Sequence, residues 1–180
     1  IGMAKHKMVQ LNNIWKDRGI PTDLKVNILK CLIWPVLLYG CEAWTLKKAD
    51  ITRLEAAEMW LYRRLLRISW TEKRTNASIL EQLVTTRKIT PEINKRRLAY
   101  IGYATRNKNT ALMISVLQGK TETKRKQGRP PITYHENIKK ASQLEISEMT
   151  RKAQDRNKWR RFCRDVQHVA ANIDDDEADR

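Results

Sequence analysis

The chain has 180 residues, with 36 Lys and Arg against 20 Asp and Glu, so its formal net charge is +16. This length corresponds to one domain or two small ones and allows a hydrophobic core without disulfides. Only six Gly and five Pro argue against an all-β sandwich or barrel. The chain has no glycine-rich phosphate loop, no dinucleotide-binding fingerprint and no Cys/His cluster at metal-ligand spacing, which argues against those functional classes.

Helix signals begin near the N-terminus. An amphipathic segment opens the chain at Ile1, and Thr22 is the predicted N-cap of a helix that continues into the apolar residues 34–39. Pro35 lies inside this helix and Gly40 is a natural place for it to end. Because charged residues also interrupt the stretch 26–44, we expect a buried, Pro-kinked helix there and no membrane span.

Three further helices are predicted in the next part of the chain. Asp50 is the predicted N-cap of a helix over residues 51–68, and Thr75 or Asn76 starts a short helix that ends at Leu83. Thr90 and Pro91 are in the favoured order for opening a helix, which extends to about residue 106. Residues 111–117 are equally compatible with a strand or a helix.

The last third of the chain combines a polar linker with short helices. Residues 119–131 contain no apolar side chain other than proline and predict a basic linker. Helices are predicted over residues 133–141, from about residue 147, and through residues 159–169. The acidic residues near the C-terminus predict a disordered tail. The fold class is therefore predominantly all-α, with a small C-terminal three-helix module beyond the linker.

The ends of the chain and its cysteines bear on its origin and compartment. The sequence starts inside an apolar pattern at Ile1, which suggests a fragment of a longer protein; initiation at Met3 is the alternative. No secretory signal opens it. Three cysteines, two of them in apolar runs, favour a reducing compartment, either nuclear or cytoplasmic.

The positive charge is concentrated ahead of the C-terminus. Residues 172–180 contain five acids and one Arg, so the rest of the chain carries +20. Charge of this size points to nucleic acid or an anionic membrane surface, and a basic surface kept for solubility is the alternative.

One predicted helix separates apolar from basic residues. At about 100° per residue, the helix over 51–68 has an apolar face that includes Glu58, which we consider a candidate partner for a buried ion pair. The opposite face is suited to phosphates and bases. It carries Arg53, Trp60, Arg63, Arg64 and Arg67. Packing of the Trp60 ring under a neighbouring element is the equally weighted alternative.

Further basic clusters follow downstream. Residues 87–129 contain twelve Lys or Arg and two Glu. The additional candidate nucleic-acid contacts are Lys95, Arg96, Arg97, Lys124, Arg125, Lys126, Arg129, Arg160, Arg161 and Arg164. The KRKQGRPP run contains a Gly-Arg-Pro of the kind that enters a narrow minor groove, and it also fits a nuclear-localisation patch. The last helix suits either a helix-turn-helix-like unit or a plain bundle.

No catalytic constellation is evident. Nucleases and polymerases need clustered carboxylates for divalent metals, but the acids here are scattered except in the C-terminal tail. The histidines are isolated at His6, His135 and His168. We therefore expect this chain alone to catalyse nothing and to bind no cofactor or metal.

Three stretches together resemble the C-terminal part of the endonuclease–reverse transcriptases of non-LTR, LINE-type retrotransposons, closest to RTE-type elements. They are residues 32–80, the segment RRLAYIGYATRN at 96–107, and residues 117–160 with KRKQGRPP. Their order and spacing also match, from about Ile1 to Val166. The matching positions are Tyr39, Gly40, Trp44, Trp60, Arg63, Arg64, Trp70, Gly128, Arg129, Pro130 and Trp159.

The resemblance implies a helical, thumb-like region at 1–117, a basic linker at 118–131, a small basic helical module at 132–171 and an acidic tail at 172–180. In such proteins the polymerase palm, which would bind Mg²⁺, and the endonuclease lie upstream. The implied function is to grip template RNA, primer and target DNA, with RNA, DNA, an RNA–DNA hybrid and the palm as partners.

This sequence departs from the family pattern at three positions. Tyr103 stands where the family has His, and Gln127 and Pro131 stand where it has basic residues. These departures fit a decayed or truncated copy. Two alternatives remain open: a stand-alone module for duplex-DNA binding or nuclear targeting, and a non-catalytic structural or interaction protein.

Overall fold

The computed structural model of the chain describes residues 1–85, 88–107 and 133–176, without the side chains of Trp70 and residues 167–176. Within these ranges the chain forms helices, turns and no strand, which confirms the predicted all-α class. The helices are α1 (Gly2–Gln10), α2 (Asn12–Lys16), α3 (Thr22–Leu32), α4 (Trp34–Leu37), α5 (Lys48–Leu66), α6 (Asn76–Gln82), α7 (Ile89–Arg106), α8 (Tyr134–Ser142), α9 (Ile146–Ala153) and α10 (Arg156–Asp176). Short 3₁₀ turns lie at Cys41–Ala43 and Trp70–Glu72.

The predicted Pro-kinked helix is two separate helices. Pro35 lies in the first turn of α4, where a backbone N–H has no acceptor within the helix. Its missing N–H therefore costs no hydrogen bond, and a new helix starts there after α3 ends. Gly40 has φ 67° in the left-handed region, which glycine adopts at least cost, and it ends the helical run as predicted. Two predicted N-caps are wrong by one or more residues. Thr22 is the first residue of α3, whose N-cap is Pro21, and Asp50 lies in the first turn of α5, which begins at Lys48.

The chain divides into two compact units. The first unit comprises residues 1–39 and 48–89, and the second comprises residues 40–47 and 90–180. The predicted domains are consecutive stretches of the chain. In the structure, residues 40–47 interrupt the first unit and belong to the second. The predicted linker at 118–131 and the ambiguous segment 111–117 lie outside the described residues. The backbone of α10 continues through Asp176, into the segment predicted as an acidic tail.

The first unit is built around α5. Helices α2, α3 and α6 pack against it, and α1 packs on α4. Its apolar side chains include the fully buried Met8, Trp15 and Leu29. The Trp15 indole donates to the Met8 carbonyl at 2.8 Å, so its one polar atom is satisfied inside the core.

Glu58 occupies the apolar face of α5 and is completely buried. Its carboxylate accepts from the Tyr62 hydroxyl at 2.8 Å, and from the backbone N–H groups of Lys88 at 2.9 Å and Ile89 at 3.4 Å. Burial raises the pKa of Tyr62 far above its usual range, and the Glu58 charge adds to this. The buried acid foreseen in the sequence thus joins residues 88–89 to α5 through hydrogen bonds.

The second unit has its own hydrophobic cluster. It is formed by buried residues of α7, α8, α9 and α10: Leu98, Ile138, Met149, Ala153, Trp159, Cys163 and Val166. The segment 40–47 is held to α8, because Tyr134 donates to the Glu42 carbonyl at 2.7 Å and the Leu46 N–H donates to Asn137 at 2.9 Å. This cluster sets the position of α10 against α7.

Candidate nucleic-acid interface

Trp159 of α10 anchors that helix to α7. Its indole N–H donates to the Leu98 carbonyl at 3.0 Å, and its ring is 2% exposed. A Cβ at Gly102, one turn after Leu98, would overlap the indole Nε1 and Cδ1 atoms. The absence of a side chain at Gly102 therefore lets the indole lie directly on the α7 backbone.

The N-terminus of α10 is capped by the preceding acid. The Asp155 carboxylate accepts from the backbone N–H groups of Asn157 at 2.9 Å and Lys158 at 3.1 Å. These hydrogen bonds hold the pKa of Asp155 below its usual range, and the one from the Lys158 N–H has the largest effect. From this start, Arg156, Arg160 and Arg164 follow at four-residue spacing and share one side of α10.

A groove lies between α7 and α10 within the second unit, with a volume of about 1220 Å³. Its cationic residues are Lys95 and Arg106 from α7, and Arg156, Arg160 and Arg164 from α10. Its lining contains no Asp or Glu among the residues that the structure describes. The groove is therefore strongly positive.

The rest of the groove lining is aromatic, apolar or neutral. Trp159 and Cys163 form its buried floor, Ala99 and Tyr103 lie on α7, and Asn107 follows the end of that helix. Burial raises the pKa of the Cys163 thiol to about 11, against the opposing effect of Arg106 and Lys95, so this thiol stays protonated at neutral pH. A cationic rim over an apolar floor can hold a polyanion that also carries flat, uncharged groups.

The three consecutive basic residues of α7 have three different environments. The Lys95 ammonium is 3.9 Å from Glu92, and Arg96 makes a 2.9 Å hydrogen bond to the same carboxylate. Arg97 is 2% exposed, and its guanidinium lies 4.9 Å from the centre of the Tyr134 ring. Burial lowers the pKa of Arg97. Arg97 thus belongs to the core of the second unit, while Lys95 reaches the groove.

The predicted basic face of α5 lies in the first unit and is uneven. Arg53 and Arg64 are exposed, and Arg53 is 3.5 Å from Asp50. Arg63 donates to the Arg74 carbonyl at 2.9 Å and to Asn76 at 2.8 Å, so its guanidinium ties α5 to the segment before α6.

The end of that face departs from the predicted helix. Arg67 follows the last residue of α5 with φ 61°, a left-handed conformation, and is exposed. Trp60 is half-buried, with the Lys5 ammonium 5.1 Å from its ring centre. One face of this ring is therefore already occupied by a cation from α1.

The remaining predicted nucleic-acid contacts do not line the groove in the part of the chain that the structure describes. Arg161 is exposed on α10 but does not line the groove. Lys124, Arg125, Lys126 and Arg129 lie outside the described residues. The groove is also lined by four residues that the sequence did not identify as candidate contacts: Tyr103, Arg106, Asn107 and Arg156. The four-residue spacing of Arg156 from Arg160 was the available signal for one of them.

Two negative findings apply to the part of the chain that the structure describes. No group of three or more His, Cys, Asp or Glu side chains there is arranged to hold a metal ion. None of the helices in those ranges combines the length and the apolar character that crossing a membrane requires.

Comparison with known proteins gives one informative match. A Caenorhabditis elegans protein whose name describes it as transposon-derived is 27% identical over 146 residues, covering 76% of this chain. The match covers 52% of that protein, so the chain spans about half the length of this relative. No family model matches the sequence, and no solved structure matches it. The similarity supports a transposon-related origin for this chain.

Proposed function

We propose that this chain is a nucleic-acid-binding C-terminal part of a retrotransposon endonuclease–reverse transcriptase, and that the groove between α7 and α10 holds the nucleic acid. The observation that carries the proposal is the set of five cationic side chains around an apolar floor. The transposon-derived relative and the LINE-type resemblance support the choice of a nucleic acid over other polyanions.

Under this proposal the chain has a holding role. Template RNA, primer or target DNA lies in the groove, with phosphates on the rim of Lys95, Arg156, Arg160 and Arg164. Polymerase and endonuclease chemistry, with its Mg²⁺, is supplied by other parts of the parent protein. The setting is intracellular, nuclear or cytoplasmic, with the palm as a protein partner.

The test is the salt dependence of binding by the full chain. Binding of fluorescein-labelled 20-nucleotide RNA, DNA and RNA–DNA hybrid is measured by anisotropy between 50 and 300 mM salt. Each neutralised phosphate contributes about −0.9 to the slope of log K against log salt on duplex DNA, and about −0.7 on single strands. Arg160→Ala with Arg164→Ala is expected to reduce the slope by about the value for two phosphates.

The matched control removes two charges elsewhere in the same unit. Lys140→Ala with Arg151→Ala changes net charge equally, and both residues are exposed on α8 and α9, away from the groove lining. This pair is expected to leave the slope nearly unchanged. Equal slopes for the two double variants, or binding that does not depend on salt, would contradict the proposal.

A further inference from the structure

Tyr103 is a large aromatic side chain left on the surface of the groove. It is 56% exposed, although it lies on α7 one residue after Gly102, where the indole of Trp159 packs. Its hydroxyl accepts a 3.0 Å hydrogen bond from the side-chain amide of Asn107, the residue that follows the end of α7. The hydrogen bond restricts the ring, so an exposed aromatic surface is presented in a defined orientation.

The neighbours of Tyr103 leave room beside the ring. Ala99 lies one helical turn before Tyr103 on α7. Ala99 is exposed, lines the same groove and has the smallest side chain that retains a Cβ. The flanking groove residues Lys95 and Arg106 are cationic. A base between two phosphates in the groove would therefore have space to lie against the Tyr103 ring.

We propose that Tyr103 is a stacking platform for an unpaired base, and that the groove consequently takes single-stranded nucleic acid in preference to duplex. This inference rests on the proposed function, because it names the form of nucleic acid that the same groove binds. Every base has a π-face, so stacking on Tyr103 tolerates any sequence.

The preference for single strands follows from access to the faces of the bases. In a duplex each base is covered on both sides by its neighbours, and exposing a face requires unstacking. In a single strand the face is available without that cost, while the arginines on α10 contact the phosphates. Stacking therefore adds affinity for single strands that the cationic rim alone would not distinguish.

The experiment uses the full chain and two probes, fluorescein-labelled dT20 and a 20-base-pair DNA duplex, at the same salt concentration. Tyr103→Ala is expected to weaken dT20 binding about tenfold and to change duplex binding less than twofold. Tyr103→Phe, which keeps the ring, is expected to retain most dT20 affinity. Tyr103→Leu, which keeps a large apolar side chain but has no π-system, is the matched control and is expected to behave like Tyr103→Ala.

A spectroscopic measurement reports stacking directly. A single 2-aminopurine placed in the dT20 strand is expected to be quenched on binding to the wild-type chain and to the Phe variant, and less quenched with the Leu variant. Circular dichroism of each variant establishes that the helices are retained. If Tyr103 stacks on bases, affinity and quenching depend on the presence of an aromatic ring. If its role is only structural, they depend on side-chain size.

The outcomes separate this inference from the proposed function. If the Arg160/Arg164 variant changes the salt slope but Tyr103→Ala binds dT20 like wild type, the groove binds phosphates only and the stacking role is overturned. Equal losses on dT20 and duplex, or equal quenching with Phe and Leu, also overturn it. If the wild-type chain binds no nucleic acid, both proposals fail.

Discussion

At the scale of single residues, the contact between Gly102 and Trp159 determines how closely α10 approaches α7. The indole donates to the Leu98 carbonyl, which lies one helical turn before Gly102, and the ring occupies the space where a Cβ would otherwise stand. The contact combines a hydrogen bond with close packing. Either alone tolerates some displacement, but together they leave no room for a side chain at position 102.

Gly102→Ala is expected to lower the free energy of unfolding by about 1–3 kcal/mol, because the added methyl forces the indole off the α7 backbone. The measurement is urea unfolding followed by circular dichroism. Gly2→Ala is the control: Gly2 is also helical, nothing lies within 4 Å of an added Cβ, and alanine is the better helix former. Equal stability of the two variants would contradict the role assigned to Gly102.

The residue scale also shows why a run of adjacent cations is not a single surface. Lys95, Arg96 and Arg97 point in directions about 100° apart on α7. Lys95 lines the groove and lies 3.9 Å from Glu92, Arg96 is hydrogen-bonded to Glu92, and Arg97 is buried against Tyr134. The run in the sequence marks a basic helix, and the helical geometry assigns each side chain a different task.

At the scale of elements, the N-termini of α8 and α10 in the second unit have acidic side chains hydrogen-bonded to their backbone N–H groups. Thr133 accepts from the Glu136 N–H at 3.2 Å, and the Glu136 carboxylate accepts from the Thr133 N–H at 3.0 Å, which is a capping box. The backbone hydrogen bond, with smaller contributions from neighbouring charges, holds the pKa of Glu136 below its usual range. Asp155 has the corresponding role at α10.

Acid is expected to destabilise these helix starts. A carboxyl whose pKa is lowered in the folded chain contributes stability above its unfolded pKa, about 4, and that stability is lost as the pH falls through the folded pKa. The unfolding temperature, followed by circular dichroism between pH 6 and pH 3, is therefore expected to fall most steeply below about pH 4.

Asp155→Asn isolates one of these contributions. Asparagine is also a good N-cap but does not titrate, so the variant should keep the cap and lose part of the acid sensitivity. The expected result is a shallower fall in unfolding temperature below pH 4 for the variant than for wild type. An identical pH profile would show that the Asp155 cap does not contribute to acid sensitivity.

At the scale of the whole molecule, positive charge is present on both units but in different settings. In the second unit it surrounds an apolar groove with an exposed tyrosine. On α5 of the first unit the exposed Arg53 and Arg64 accompany a Trp60 ring that already has the Lys5 ammonium over it. The α5 face is therefore suited to phosphate contacts, and one face of the Trp60 ring is not available to a base.

Arg53→Ala with Arg64→Ala is expected to weaken binding of dT20 and of duplex DNA by the same factor, two- to tenfold at low salt. Removal of phosphate contacts does not distinguish the two forms, and alanine preserves the helix. The same anisotropy titrations measure both affinities. A loss confined to one form would contradict this assignment, and no loss on either would show that the α5 face makes no contact with nucleic acid.

Much of the local structure can be predicted from the sequence. The helical class, the Thr75 cap of α6, the break at Gly40 and the Thr133 start of α8 all follow from short-range rules that act within a few residues. The sequence does not predict that the helix from Thr22 divides into α3 and α4, because a proline inside an apolar run fits both a kink and a new first turn.

The candidate groove could be predicted only in part. Lys95, Arg160 and Arg164 were named from charge alone, and Arg156 could have been added from its spacing. Which face of α7 meets α10 depends on the contact of Trp159 with the Leu98 carbonyl, 61 residues apart in sequence. No periodic pattern within either helix specifies a partner at that distance.

The sequence by itself determined the helical class, the caps at Thr75 and Thr133 and the strongly basic character of the chain, because these depend on neighbouring residues and on composition. Only the tertiary structure decided that Arg97 is buried, that Trp60 faces Lys5 and that Tyr103 stands exposed in a cationic groove. The physical reason is that burial and exposure are set by which helix faces pack together. That packing is determined by long-range contacts such as the indole of Trp159 against Gly102.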